Sequence, residues 1–225
     1  MATRSATPKR SGVNDGGGTP SAPRADARAL RAQGHRTHAK LLDAGMVVLR
    51  DRGYHAARVD DVVRIADVSH GTFYLYFTNK EDLFRALATQ CAEEMTSRIG
   101  SLGVVDSGAD GLAELERWVD GFVTCYAEYG VVIRAWMEDQ VSSRDLARLG
   151  TRTFRTVSAT LVARLAEASP DADEGEVALS AAALVAMIER FTYFVTSRGL
   201  DLPPGEVVRT LAALIHRGFF HGSIN

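Results

Sequence analysis

Two short helical patterns, set almost back to back between Val59 and Phe77, constrain this chain more than any other feature. Val59, Val62, Val63 and Ala66 fall at i, i+3, i+4 and i+7, the spacing of one helix face. A tight break follows at Asp67-Val68. Ser69 then offers a hydroxyl that can accept from a free backbone N–H at a helix start. The pattern resumes through Phe73, Tyr74, Tyr76 and Phe77. Helices this short are not stable alone, so they must share a small core. Val59, Val62, Val63, Val68, Phe73 and Phe77 can supply it. The outward positions of the second pattern are His70, Gly71, Thr72, Tyr74 and Tyr76, none of them acidic.

Further helices flank the pair. Leu41, Ala44, Val48 and Leu49 place one before it, ending at Gly53, a residue that commonly stops helices. After it, Thr78 or Asn79 caps another, and Thr78-x-x-Glu81 fits a capping box. Leu83, Phe84, Leu87 and Cys91 carry that helix on. Short helices with a tight break between the last two are the pattern of a helix-turn-helix, whose second helix enters the major groove of DNA. Charge agrees. Residues 1–80 hold 13 Lys and Arg against 7 Asp and Glu, whereas residues 81–225 hold 13 against 21. A basic first third on an acidic remainder suits a polyanionic partner for that third.

The run Gly53-Tyr54, Val59-Asp60-Asp61-Val62-Val63 and Ala66 to Leu83 resembles the N-terminal domain of the TetR family of transcriptional regulators. The resemblance covers about 50 residues without a gap. It implies that Thr72, Tyr74 and Tyr76 contact phosphates and bases, and that His70 and Gly71 open the base-reading helix. It also implies that Lys80 grips a phosphate at a helix start, where free N–H groups and the helix dipole favour an anion. Two positions depart from the family. Arg58 stands where a capping Ser or Thr is usual. It offers a charged phosphate contact but no equivalent cap. Asp67 stands where the turn usually has Gly, and Asp tolerates the left-handed conformation better than most residues.

The remainder reads as helices throughout, giving an all-α fold of about nine. Gly103–Gly111 is a loop. Trp118, Phe122 and Tyr126 share a face, and Gly130 precedes another segment, Val131 to Met137. Long helices are expected at about 143–168, 173–197 and 204–221, with Pro170 breaking the first. The last two are apolar on two sides, which calls for burial on two sides. Together with the family resemblance, this implies a homodimer joined through Ala182, Ala186, Val208, Ala212, Ile215 and Phe219. The middle helices are rich in aromatics, among them Trp118 and Phe154. Large rings with polar tips suit a ligand pocket. A second resemblance, carried by Phe122 to Tyr126, Val132 to Ala135 and Met187 to Arg190, points to the ethionamide-resistance regulators within the family. It implies a pocket lined by Phe122, Tyr126, Trp136, Val185, Glu189 and Tyr193. Glu189 on an apolar helix needs a partner, and a salt bridge with Arg134 is the alternative to a ligand role.

Three regions follow. Residues 1–33, poor in large apolar side chains, are expected to be a disordered basic tail. Residues 34–82 are the helix-turn-helix domain, continued by a linking helix at about 80–100. Residues 83–225 bind ligand and dimerise. No apolar run reaches the length of a membrane helix, and the basic N-terminus lacks the apolar core of a secretory signal, so a cytoplasmic protein without a membrane partner is expected. Cys91 and Cys125 form no CxxC pair and read as small buried residues. No GxSxG, P-loop or HExxH motif is present, so neither an enzyme nor a bound cofactor is expected. The expected function is a transcription regulator that binds a double-stranded, palindromic operator as a dimer and is released by a small apolar effector. An activator and an effector-independent DNA-binding protein remain the alternatives.

Overall fold

A computed structural model describes residues 22–100, 102–137, 144–197 and 202–220. Within them lie eight helices: α1 (Ala22–Ala56), α2 (Val59–Ala66), α3 (His70–Tyr76), α4 (Lys80–Ile99), α5 (Ala109–Met137), α6 (Arg144–Ala168), α7 (Glu174–Ser197) and α8 (Pro204–Phe219). No strand occurs among the described residues. The chain divides into two compact units, residues 1–39 and residues 40–225.

In the first unit, helix extends back to Ala22, so residues 22–33 are helical where a disordered tail was expected. Composition explains this. The segment from Ala22 to Gln33 is rich in Ala and Arg, both strong helix formers, and its one proline lies in the first turn, where proline is tolerated. The expected tail over residues 1–21 lies outside the described residues.

In the second unit, Gly53 interrupts helical geometry with φ 71° and ψ 171°, the stop visible in the sequence. A Cβ there would meet nothing within 4 Å, so the glycine is required for its dihedrals and not for space. Gly45 is the opposite case. A Cβ at Gly45 would come 3.0 Å from a Leu83 methyl, so α1 and α4 cross closely at this point.

Eight helices replace the expected nine because α5 runs unbroken through Gly130. A Cβ at Gly130 would lie 3.2 Å from the Tyr126 ring. The glycine makes room for a ring and does not end a helix. Helices α6 and α7 and the start of α8 fall within one residue of those expected, while α5 begins at Ala109, inside the expected loop Gly103–Gly111, and α1 runs to Ala56, past the expected stop at Gly53; the end expected at His221 lies outside the described residues. Helix α4 packs against α5 and α6, α5 against α7 and α8, and α6 against α7. The core holds Leu87, Cys91, Leu115, Trp118, Val119, Val132, Leu161, Leu184, Ile188 and Ile215, all almost fully buried.

Candidate functional site

The pair α2 and α3 is held by the core that the sequence implies. Val62, Val63, Phe73 and Phe77 are buried, and Val59 and Val68 pack against them. The turn depends on Asp67, whose φ of 52° and ψ of 54° are left-handed. With the chain reversed there, the Val68 N–H reaches back to the Val63 carbonyl at 3.1 Å. Ser69 caps α3, its hydroxyl accepting from the Thr72 N–H at 3.1 Å. Such a cap contributes about 1 kcal/mol. At α4, Asn79 and not Thr78 is the cap. Asn79 Oδ1 accepts from Asp82 N at 2.8 Å while the Asp82 carboxylate accepts from Thr78 N at 3.0 Å. Arg58 occupies the N-cap of α2 in an extended conformation and makes no side-chain cap bond.

The structure gives the predicted DNA-contact residues different situations. Gly71 is exposed, Tyr74 is 58% exposed and Tyr76 is half-buried. Arg58 is exposed beside α2. His70 is engaged: its Nε2 lies 2.8 Å from Asp60 Oδ1, so α3 is tied to α2. The Thr72 hydroxyl lies 2.9 Å from Ser69 Oγ. Lys80 donates to the carbonyls of Tyr54 at 2.9 Å and His55 at 3.3 Å, and its ammonium sits 4.6 Å from the centre of the Tyr54 ring. It therefore secures the end of α1, a favourable place for a cation. Tyr54 in turn donates to Glu81 at 3.3 Å, and burial together with the Glu81 charge pushes its pKa up to about 12. Sequence reasoning missed Leu75, which is 82% exposed on α3. Its signal was an apolar residue with no place in the shared core.

The predicted sensing residues fall into two groups and one outlier. Phe122 stacks on Tyr126 with centroids 6.2 Å apart, and the Tyr126 hydroxyl donates to Glu189 at 3.4 Å. Burial and the Glu189 charge raise the Tyr126 pKa to about 12. Arg134 and Arg190 lie over the Tyr193 ring at 5.7 Å and 5.3 Å. The carboxylate of Glu189 thus bonds Tyr126 and lies 3.9 Å from Arg190, while Arg134 stacks on Tyr193. Val185 is half-buried one turn before Glu189, and Trp118 is buried on α5, one turn before Phe122. Trp136 belongs to a separate junction, donating to the Leu146 carbonyl at 3.0 Å where α5 meets α6. Phe154 is 55% exposed on α6. Nothing in the sequence pointed to Thr192, which is fully buried on α7 with a hydroxyl that lacks a partner. Near it, Met187, Arg190, Phe191, Tyr193 and Phe194 border an open surface hollow of about 490 Å³.

For dimerisation the structure separates the two helices. Ala182 and Ala186 are exposed on α7, in line with Leu179, Ala183 and Phe194. Val208, Ala212 and Ile215 are buried inside the protomer, where α8 packs on α5, so they are withdrawn as direct dimer contacts. Phe219 is half-buried. Helix α7 over Glu174–Thr196 is also long and apolar enough to cross a membrane by length and composition. Cys91 on α4 and Cys125 on α5 are both buried, and the neighbouring Cys125 thiol together with burial holds the Cys91 thiol well above its ordinary range.

The described residues thus have the architecture of a helix-turn-helix with a buried core followed by a longer helical assembly. Residues 41–87 match the family of bacterial regulatory proteins named tetR. That match covers α2, α3 and the parts of α1 and α4 that pack on them. The fatty acid metabolism regulator protein of Bacillus subtilis is 42% identical over 48 residues, 21% of this chain and 25% of that protein. The chain therefore spans about a quarter of the length of such relatives. The regulator EthR of Mycobacterium tuberculosis is 26% identical over 193 residues, 84% of this chain and 88% of that protein. Among solved structures, the TetR-family regulator PfmR of Thermus thermophilus matches with a TM-score of 0.61 at 21% identity, covering 79% of this chain and 97% of that one. FadR of Bacillus subtilis, in complex with stearoyl-CoA, matches with a TM-score of 0.58 at 21% identity, covering 80% and 98%.

Proposed function

We propose that the chain is a dimeric transcription regulator that binds an operator through α3 and is released by an apolar effector. The observation that carries the DNA-binding reading is the outward face of α3. Gly71, Tyr74 and Leu75 stand exposed on a helix whose opposite face is fixed in a core by Phe73 and Phe77. A short, rigidly backed helix with an acid-free outer face is what major-groove entry requires. Arg58 flanks that face as a phosphate contact, and Lys80 holds α1 in place behind it. Two such helices, about 34–36 Å apart in a dimer, would read a palindromic site.

The effector is proposed to bear a long apolar chain. One structural neighbour holds stearoyl-CoA, and one relative bears the name fatty acid metabolism regulator. In this chain the aromatic residues Trp118, Phe122 and Tyr126 would face the apolar part. Glu189, Tyr193 and the unpartnered Thr192 hydroxyl would meet a polar end. The effector acts by favouring one of two dimer conformations, and it shifts them only as far as its affinity for them differs.

Fluorescence anisotropy on duplexes from the promoter of the chain's own gene tests both parts. The wild type is expected to bind in the nanomolar range typical of specific sites, and the double variant His70→Ala, Tyr74→Ala is expected to lose at least tenfold. Acyl-CoA thioesters of increasing chain length are expected to release the duplex. Equal binding by the double variant would remove α3 as the contact, and release by no thioester would remove the effector.

A further inference from the structure

We propose that Leu75 reads the 5-methyl group of a thymine in the major groove. The proposal rests on the DNA-binding reading above. The helix His70-Gly71-Thr72-Phe73-Tyr74-Leu75-Tyr76 has no Arg, Lys, Asn or Gln. It therefore lacks the side chains that pair bidentately with guanine or adenine edges. Two of its polar groups are committed within the protein, His70 to Asp60 at 2.8 Å and the Thr72 hydroxyl to Ser69 at 2.9 Å.

Leu75 is 82% exposed, the most exposed large apolar side chain among the described residues. It lies one helical turn after Gly71, on the same strip of surface. Long side chains on a helix lean over the preceding turn, and at Gly71 that turn carries no side chain. A Cβ at Gly71 would meet only Ser69 Oγ, at 3.7 Å, so the strip is open. Leucine and bare glycine together make an apolar ledge where α3 can approach base edges closely. Tyr74 flanks the ledge on the neighbouring strip. Thymine alone among the four bases presents a methyl group in the major groove. A ledge of this chemistry selects that group, and it selects by shape and apolar contact where polar readers are scarce.

The fold does not need Leu75. Phe73 and Phe77 anchor α3 from the other side, so Leu75→Ala is expected to melt within about a degree of the wild type, as exposed substitutions generally do. The test selects duplexes from a random pool with the full-length chain. The wild type and Leu75→Ala are then titrated against the best duplex and against copies in which each thymine singly becomes deoxyuridine. That change removes only the methyl group. At one thymine in each half-site, uracil is expected to weaken the wild type about fourfold, the worth of one buried methyl. Leu75→Ala is expected to bind the parent duplex at least fourfold more weakly and to ignore the uracil change there. If every uracil substitution affects both proteins equally, Leu75 reads no methyl group and the proposal falls. If the pool enriches no duplex, the DNA-binding reading falls, and the proposal with it.

Discussion

Asp67 carries the turn between α2 and α3 at a cost. A left-handed backbone costs a residue with a Cβ about 1–2 kcal/mol, less for Asp, whereas glycine adopts it freely. Asp67 is the only non-glycine with positive φ among the described residues. Asp67→Gly is therefore expected to stabilise the protein by about 0.5–1 kcal/mol, after allowing for the greater freedom of glycine in the unfolded chain. The check is a urea midpoint that rises at unchanged slope, and a lower midpoint would show that the Asp67 side chain does something the backbone does not reveal. The sequence exposed this strain because the turn could be located and Asp sat in it. It did not expose the fate of His70 or Lys80. Both are polar residues at plausible contact positions, and only the folded geometry shows their nearest partners to be Asp60 and the carbonyls of Tyr54 and His55.

At the scale of elements, Gly130 gives the clearest lesson. In sequence a glycine before an apolar run reads as a break, and in the structure it is a notch for the Tyr126 ring inside one continuous α5. That ring also carries the hydroxyl bonded to Glu189 on α7. Gly130→Val would drive a branched side chain into it, and overpacking of this kind typically costs about 1–3 kcal/mol. A thermal midpoint lower by several degrees is expected, and an unchanged midpoint would mean that the ring has room to turn. The short elements α2 and α3 were legible to the residue, because periodicity, a capping serine and a tight break coincide there. The proposed sensing region was legible only as a set of aromatic helices. Which rings meet depends on how α5, α6 and α7 are rotated against one another. That rotation joins Tyr126 to Glu189, leaves Trp136 with α6, and turns Phe154 outward. Likewise Cys91 and Cys125 lie 34 positions apart and meet only because α4 packs on α5.

For the whole molecule, alkaline pH sets one limit and assembly another. Burial, with nearby Glu81, Glu189 and Glu128, raises Tyr54, Tyr126 and Tyr129 from 10.0 to about 12. The folded state thus favours the neutral phenols. Their contribution is complete below pH 10, and it is lost as pH rises from 10 to 12, because the unfolded chain ionises first. Denaturant unfolding at pH 9, 10.5 and 12 is expected to show a steepening fall, and a flat profile would mean that these phenols titrate alike in both states. Assembly concerns α7. Leu179, Ala182, Ala183 and Ala186 form an exposed apolar stripe rich in small residues, and the exposed Arg190 separates it from Phe194 on the same face. Small side chains let two helices approach closely, and the flanking leucine and phenylalanine supply area to bury. The protomer core already takes Val208, Ala212 and Ile215. The proposed dimer therefore relies on α7, with exposed Leu214 as the contribution of α8. Ala186→Arg would place a charge in the middle of that contact, where desolvation without a partner is costly. The variant is expected to keep its helical content, sediment as a monomer and bind the operator at least tenfold more weakly, since one recognition helix reads too few base pairs alone. Phe154→Arg, on the exposed side of α6, is expected to sediment like the wild type. Were Ala186→Arg to retain the mass of a dimer, α7 would not be the interface.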